Sequence, residues 1–177
     1  MSMLPFVPKA QSTRRAFSAL MVTSLLAFAA GLPTVSSAQT TSTVQVGQRL
    51  PALALKDQHD KPWQMDADTR LLMFAASRQA SNLVQEVLHK LPPDQLTRKN
   101  ALYLADMGKM PGIITRTFAL PALKKLPYPI GVSTDEATLA AWPRQGDAVT
   151  LIELDQYLVK RISFVSTEAD LRAALDR

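Results

Sequence analysis

The hydrophobic pattern of this chain switches between short unbroken runs and stripes of helical period. Leu71-Leu72-Met73-Phe74-Ala75 is apolar throughout, as expected of a strand covered on both faces. Just beyond it, Leu83, Val84, Val87, Leu88 and Leu91 fall on one helical stripe. The chain therefore passes from a buried strand into a helix at Ser77-Arg78-Gln79, and Pro92-Pro93-Asp94 ends that helix. Ala101-Leu102-Tyr103-Leu104-Ala105-Asp106 is a second strand. Pro111 suits a first helical turn, and Ile113, Ile114, Thr117 and Phe118 form one face of a helix ending near Leu120-Pro121. Residues 127–133 read as a short strand between breakers, and Thr134-Asp135-Glu136 as the start of a helix over 137–142. Two strands joined at Asp155-Gln156 make a hairpin. A capping box, Thr167-Glu168-Ala169-Asp170, then opens a last helix through Leu171, Ala174 and Leu175. Earlier, Leu53 and Leu55 alternate with small or polar neighbours, and a turn-rich stretch precedes Trp63, which predicts a first hairpin. Strands alternating with helices imply an α/β sheet covered on both faces.

The first 38 residues stand apart. Lys9, Arg14 and Arg15 come first with no acid, residues 16–32 are an apolar run, and Val35-Ser36-Ser37-Ala38 supplies small residues. That order is a secretory signal peptide, too short and interrupted for a membrane anchor. Thr13-Arg14-Arg15-Ala16-Phe17 has the form of a twin-arginine export signal, a route that carries folded cargo. The expectation is a bacterial periplasmic protein: signal peptide 1–38, a polar leader 39–43 expected to be mobile, and one domain over 44–177.

Charge and cysteine content narrow the function. The full chain carries a net charge of +5, but loss of the leader removes three basic residues and no acid, leaving +2. No basic run or nucleic-acid motif remains, so neither nucleic acid nor an acidic membrane surface is an expected partner, and no membrane anchor survives signal cleavage. The chain contains no cysteine. It forms no disulfide, holds no thiolate-bound metal or iron-sulfur cluster, and performs no thiol chemistry. Its stability rests on the core, which a chain of this length can supply.

Val46-Gly47, Pro51, the alternating stretch 53–57 and Trp63, followed by Phe74-Ala75-Ala76 and Thr150-Leu151-Ile152, resemble the peroxiredoxin and thiol-disulfide oxidoreductase branch of the thioredoxin-like superfamily. The resemblance spans 44–177. It implies a three-layer α/β/α fold with a mixed central sheet and an N-terminal β-hairpin extension. It also places Ser77-Arg78-Gln79-Ala80 where that branch carries Cys-x-x-Cys, and Val149 where it carries a cis-proline. A serine hydroxyl does not replace a thiolate without a neighbouring base.

Each candidate site residue has a structural alternative. Ser77, Arg78 and Gln79 stand at a helix N-terminus suited to an anion, or serve as cap and solvated surface. Asp106 follows the second strand, at the edge where open α/β sheets bind ligands. Met107 and Met110 offer thioethers for Cu(I), or fill the core. His59 and His89 lack a partner at ligand spacing. Trp142 and Arg144 precede Val149, and either line a recognition groove or belong to the core. The resulting expectation is a redox-inactive binding or accessory protein with no cofactor of its own. It would hold a protein segment or small ligand in a groove of Ser77, Arg78, Gln79, Asp106, Trp142, Arg144 and Val149. The alternatives are a cysteine-free enzyme on this fold, a metal or redox protein using Cu(I) or a cofactor loaded before export, and an accessory subunit completing a larger complex.

Overall fold

The apolar run at 71–75 is strand β3 (Leu71–Ala75), buried at every residue, in a computed structural model that describes residues 44–177. The signal peptide and the 39–43 leader lie outside the described residues. Seven strands form one mixed sheet in the order β2 (Pro62–Trp63), β1 (Leu55–Asp57), β5 (Ile130–Ser133), β4 (Ala101–Asp106), β3, β6 (Val149–Asp155) and β7 (Leu158–Val165). The three central strands run parallel, with Leu71 opposite Ala101 and Tyr103 opposite Ile130. Antiparallel strands close both sides, β1 on β5 and β6 on β3.

Alternation along β3 divides its side chains between two cores. Leu71, Met73 and Ala75 face the helices, where Ala80, Val84, Val87 and Leu88 of α1 (Arg78–His89) meet Leu171 and Leu175 of α5 (Glu168–Asp176). Leu96 of the one-turn α2 (Gln95–Arg98), which the sequence pattern does not show, joins the same core. Leu72 and Phe74 face the other side, where Val44, Leu50, Trp63, Leu139 and Trp142 cover the sheet. The helix expected over 137–142 is absent and turns take its place. Ala140 N–H bonds the Ala137 carbonyl and Trp142 N–H the Leu139 carbonyl, each three residues back. That tight spacing stacks Leu139 above Trp142, so both reach the core, and Pro143 follows at once.

The segment after β4 differs from expectation in a way that shapes the site. The helix does not stop near Pro121 but continues as α3 (Gly112–Ile114), a π-helical stretch at Thr115–Ala119, and α4 (Leu120–Leu123). Leu120 N–H bonds the Thr115 carbonyl, five residues back. Pro121 has no N–H to continue the ordinary ladder, which accounts for the wide turn at that point. Its inner side presents Thr115 and Leu123, while Ile113, Ile114 and Phe118, expected to form a packed face, are exposed at 74%, 44% and 69%.

Local chemistry fixes the remaining joints. Ser77 caps α1, its hydroxyl accepting from Ala80 N–H, and Thr167 caps α5 by accepting from Asp170 N–H. Asp170 accepts from the Thr167 hydroxyl instead of the backbone N–H that a full capping box would use. Buried Gln58 ties the first hairpin to the sheet: its amide donates to the Tyr128 carbonyl and its oxygen accepts from Ile130 N–H. The second hairpin turns at Gln156-Tyr157, one residue later than expected, because Asp155 still pairs with Leu158.

Candidate functional site

At the carboxyl ends of β3 and β4 the two chains diverge, one into α1 and the other into the 107–123 segment. The gap between them is a cleft of about 530 Å³, within the size range of ligand pockets. Ala75 and Ala105 lie at its floor, small residues that leave the space open. Met107, Met110, Ile114, Phe118 and Leu123 form an apolar wall, and Ser77, Arg78, Ser81, Asn82 and Gln85 of α1 form the polar wall.

This cleft brings Ser77, Arg78, Asp106, Met107 and Met110 together and leaves the other candidates elsewhere. Trp142 is 4% exposed and packs edge-on against Phe74, with ring centroids 5.3 Å apart, so it is a core residue. Val149 is fully buried and offers nothing to a groove. Arg144 reaches Asp106 at 3.2 Å, donates to the Leu139 and Trp142 carbonyls, and lies 5.5 Å from the Phe74 ring centre. Gln79 lies outside the cleft lining, with its side-chain amide beside the Asp147 carboxylate. His59 and His89 are both exposed.

The polar groups of the cleft are engaged with one another. Asp106 accepts from Gly108 N–H and from Arg144, so the carboxylate lining the cleft is already paired. The Ser77 hydroxyl is occupied by its cap bond to Ala80. Ser81 shares a 2.7 Å hydrogen bond with the Tyr103 hydroxyl, and Gln85 donates to Ser81. Burial pushes the Tyr103 phenol up to about 12, against a smaller opposing pull from its hydrogen bonds. Tyr128 is likewise raised, first by burial and then by the nearness of Tyr103. Outside the cleft, Asp135 is lowered by the Thr138 hydroxyl and Ala137 N–H that it accepts from. No cluster of three or more His, Cys, Asp or Glu able to hold a metal occurs among the described residues. The two thioethers of Met107 and Met110 have no histidine or third thioether beside them in the cleft lining.

Sequence reasoning found Met107 and Met110 but missed Ile114, Phe118 and Leu123 of the apolar wall. Ile114 and Phe118 have the spacing of a packed helix face, and nothing in that spacing says that the face borders a cleft.

No family model matches the sequence, and no curated protein matches it. Solved structures do match the fold. A protein described as a disulfide isomerase, from Bacteroides thetaiotaomicron, superposes with a TM-score of 0.51 at 11% identity, over 75% of this chain and 87% of that one. Peroxidoxin BcpB of Mycobacterium tuberculosis gives 0.50 at 14% identity, over 75% and 95%. A protein described as a thioredoxin, from Neisseria meningitidis, gives 0.50 at 18% identity, over 75% and 89%. Identities this low speak to architecture alone. The chain has the thioredoxin-like fold and carries it without a single cysteine.

Proposed function

We propose that this protein is an exported, redox-inactive binding protein that holds an apolar segment of another protein, or a small apolar ligand, in the cleft between α1 and the 112–123 helical segment. The leader at 1–38 supports a periplasmic address, and the missing thiols leave the scaffold with no exchange chemistry of its own. One observation carries the reading. Ile114 and Phe118 stand exposed on the rim of a recess whose floor and near wall are apolar and whose far wall is polar, at the end of the sheet where α/β folds bind ligands. Exposed aromatic and aliphatic groups beside a preformed recess mark a binding surface.

The test is selection from a random peptide library by the native protein and by Ala122→Trp, which places an indole at an exposed position on the cleft lining. The expected result is a peptide pool enriched by the native protein and lost on the variant, with unchanged thermal unfolding. A pool retained equally by both would rule the cleft out.

A further inference from the structure

Resting on the cleft as the binding site, the hydrogen bonds of its polar wall specify what an occupant carries. Ser81 stands on that wall, and two groups reach its hydroxyl oxygen: the Tyr103 phenol at 2.7 Å and the Gln85 amide nitrogen at 3.0 Å. Either hydroxyl of the Ser81 and Tyr103 pair could donate, and burial decides between them. Tyr103 is fully buried, and the Ser81 oxygen is the acceptor its phenol has among the described residues. A phenol that accepted from Ser81 would leave its own proton unmet inside the core, a cost that donation avoids. With Tyr103 and Gln85 both donating, the two lone pairs of the Ser81 oxygen are filled and its own proton is left over. Thr115 returns its hydroxyl proton to the Pro111 carbonyl four residues back, but Ser81 makes no such bond among the described residues. Turning the Gln85 amide over would only move the free hydrogen to Gln85, on the same wall. We infer that Ser81 is the specificity-determining donor of the cleft, and that the occupant is a compact apolar ligand, a ketone, ester or amide, whose carbonyl oxygen accepts from it while the rest lies against Met107, Met110 and Phe118.

This is the small-ligand form of the cleft reading, because a polypeptide meets the donor less well. The strands that end at the cleft, β3 and β4, each have a neighbour on both sides, so an extended segment finds no free sheet edge for its backbone there. A helical segment has its carbonyls engaged in its own hydrogen bonds and would leave the Ser81 proton unmet. A small carbonyl compound has neither difficulty.

The experiment titrates the purified protein with acetophenone and with ethylbenzene, probes of closely similar shape of which only the first has a carbonyl, and follows backbone amide shifts by NMR. The ketone loses more hydration on entry, so the readout is the ratio of the two affinities compared across variants. Replacing Ser81 alone would leave the buried phenol unpaired, so the variant is S81A/Y103F, which removes both partners. The preference for the ketone should fall about fivefold in S81A/Y103F, the worth of one ordinary hydrogen bond. It should hold in Tyr103→Phe, which keeps the serine. An unchanged ratio in S81A/Y103F, or an equal fall in Tyr103→Phe, would overturn the inference, and ethylbenzene binding that is lost on Ala122→Trp would leave the cleft reading standing. Binding of neither probe would overturn the inference as well. Peptide capture lost on Ala122→Trp would then keep the cleft as a polypeptide site, and its absence would count against both.

Discussion

At the scale of single residues, the end of β4 is held by a pair that sequence reasoning assigned to ligand binding. Asp106 and Arg144 were legible as charged residues near the sheet edge, but not as partners, because 38 positions separate them and nothing local couples them. Only the fold shows that Arg144 is spent on Asp106, two carbonyls and the face of Phe74. Arg144→Ala would leave an almost fully buried carboxylate without its counter-charge, and should cost about 3 kcal/mol in urea unfolding. A loss below about 1 kcal/mol would place the pair with weak surface bridges instead. Tyr103 gives a pH-dependent prediction. Its folded value is raised to about 12 from an ordinary 10.0, chiefly by burial. Below pH 10 both folded and unfolded states keep the proton, and the contribution of the buried phenol is complete. Between pH 10 and about 12 the unfolded chain ionises first, so stability falls by about 1.4 kcal/mol per pH unit for each such tyrosine. Tyr103→Phe should flatten that decline by one tyrosine's share, leaving the contribution of Tyr128. An unchanged slope in alkaline urea titrations would contradict the assignment.

At the scale of elements, strands were read more reliably than the segments between them. The runs at 71–75 and 101–106 need burial on both faces, and a parallel sheet is what supplies it, so composition and structure agree there. The 112–123 segment and the 137–142 turns were misread for one shared reason. Helical spacing of apolar residues is compatible with α, 3₁₀ and π geometry alike, and prolines at 121 and 143 decide among them through hydrogen bonds that spacing does not record. The β6–β7 turn shows a local conflict of another kind. Gln156 and Tyr157 both hold positive φ, at 48° and 69°, in a two-residue hairpin loop that favours Asn followed by Gly. Tyr157 has a compensating contact with the Arg49 guanidinium, 5.5 Å from its ring centre, whereas no side-chain partner is seen for Gln156. Gln156→Asn should therefore raise stability by about 0.5 kcal/mol, the low end for a corrected turn residue. A lowered urea midpoint would show that the glutamine has a role its geometry does not reveal.

At the scale of the whole molecule, this protein combines a thioredoxin-like fold with the absence of any cysteine. Ser77 follows a buried central strand and caps a twelve-residue helix, so the partial positive charge of that helix end should act on whatever group stands there. The fold was legible because the strand-to-helix junction has a strong apolar signature. The absence of thiol chemistry was legible because it needs only a count of cysteines. The cleft was not legible, since it depends on how far the 112–123 segment stands off α1, a distance set by tertiary packing. Ser77→Cys tests the field at the N-terminus of α1. Its thiol should titrate below the usual value of about 8.5, as cysteines at helix N-termini do, when followed by iodoacetamide alkylation against pH. Disulfide reduction by this variant should remain no faster than that of a simple thiol, because Ala80 is fully buried and supplies no second sulfur to resolve a mixed disulfide. A midpoint at or above 8.5 would mean that the N-terminus of α1 exerts no useful field on position 77.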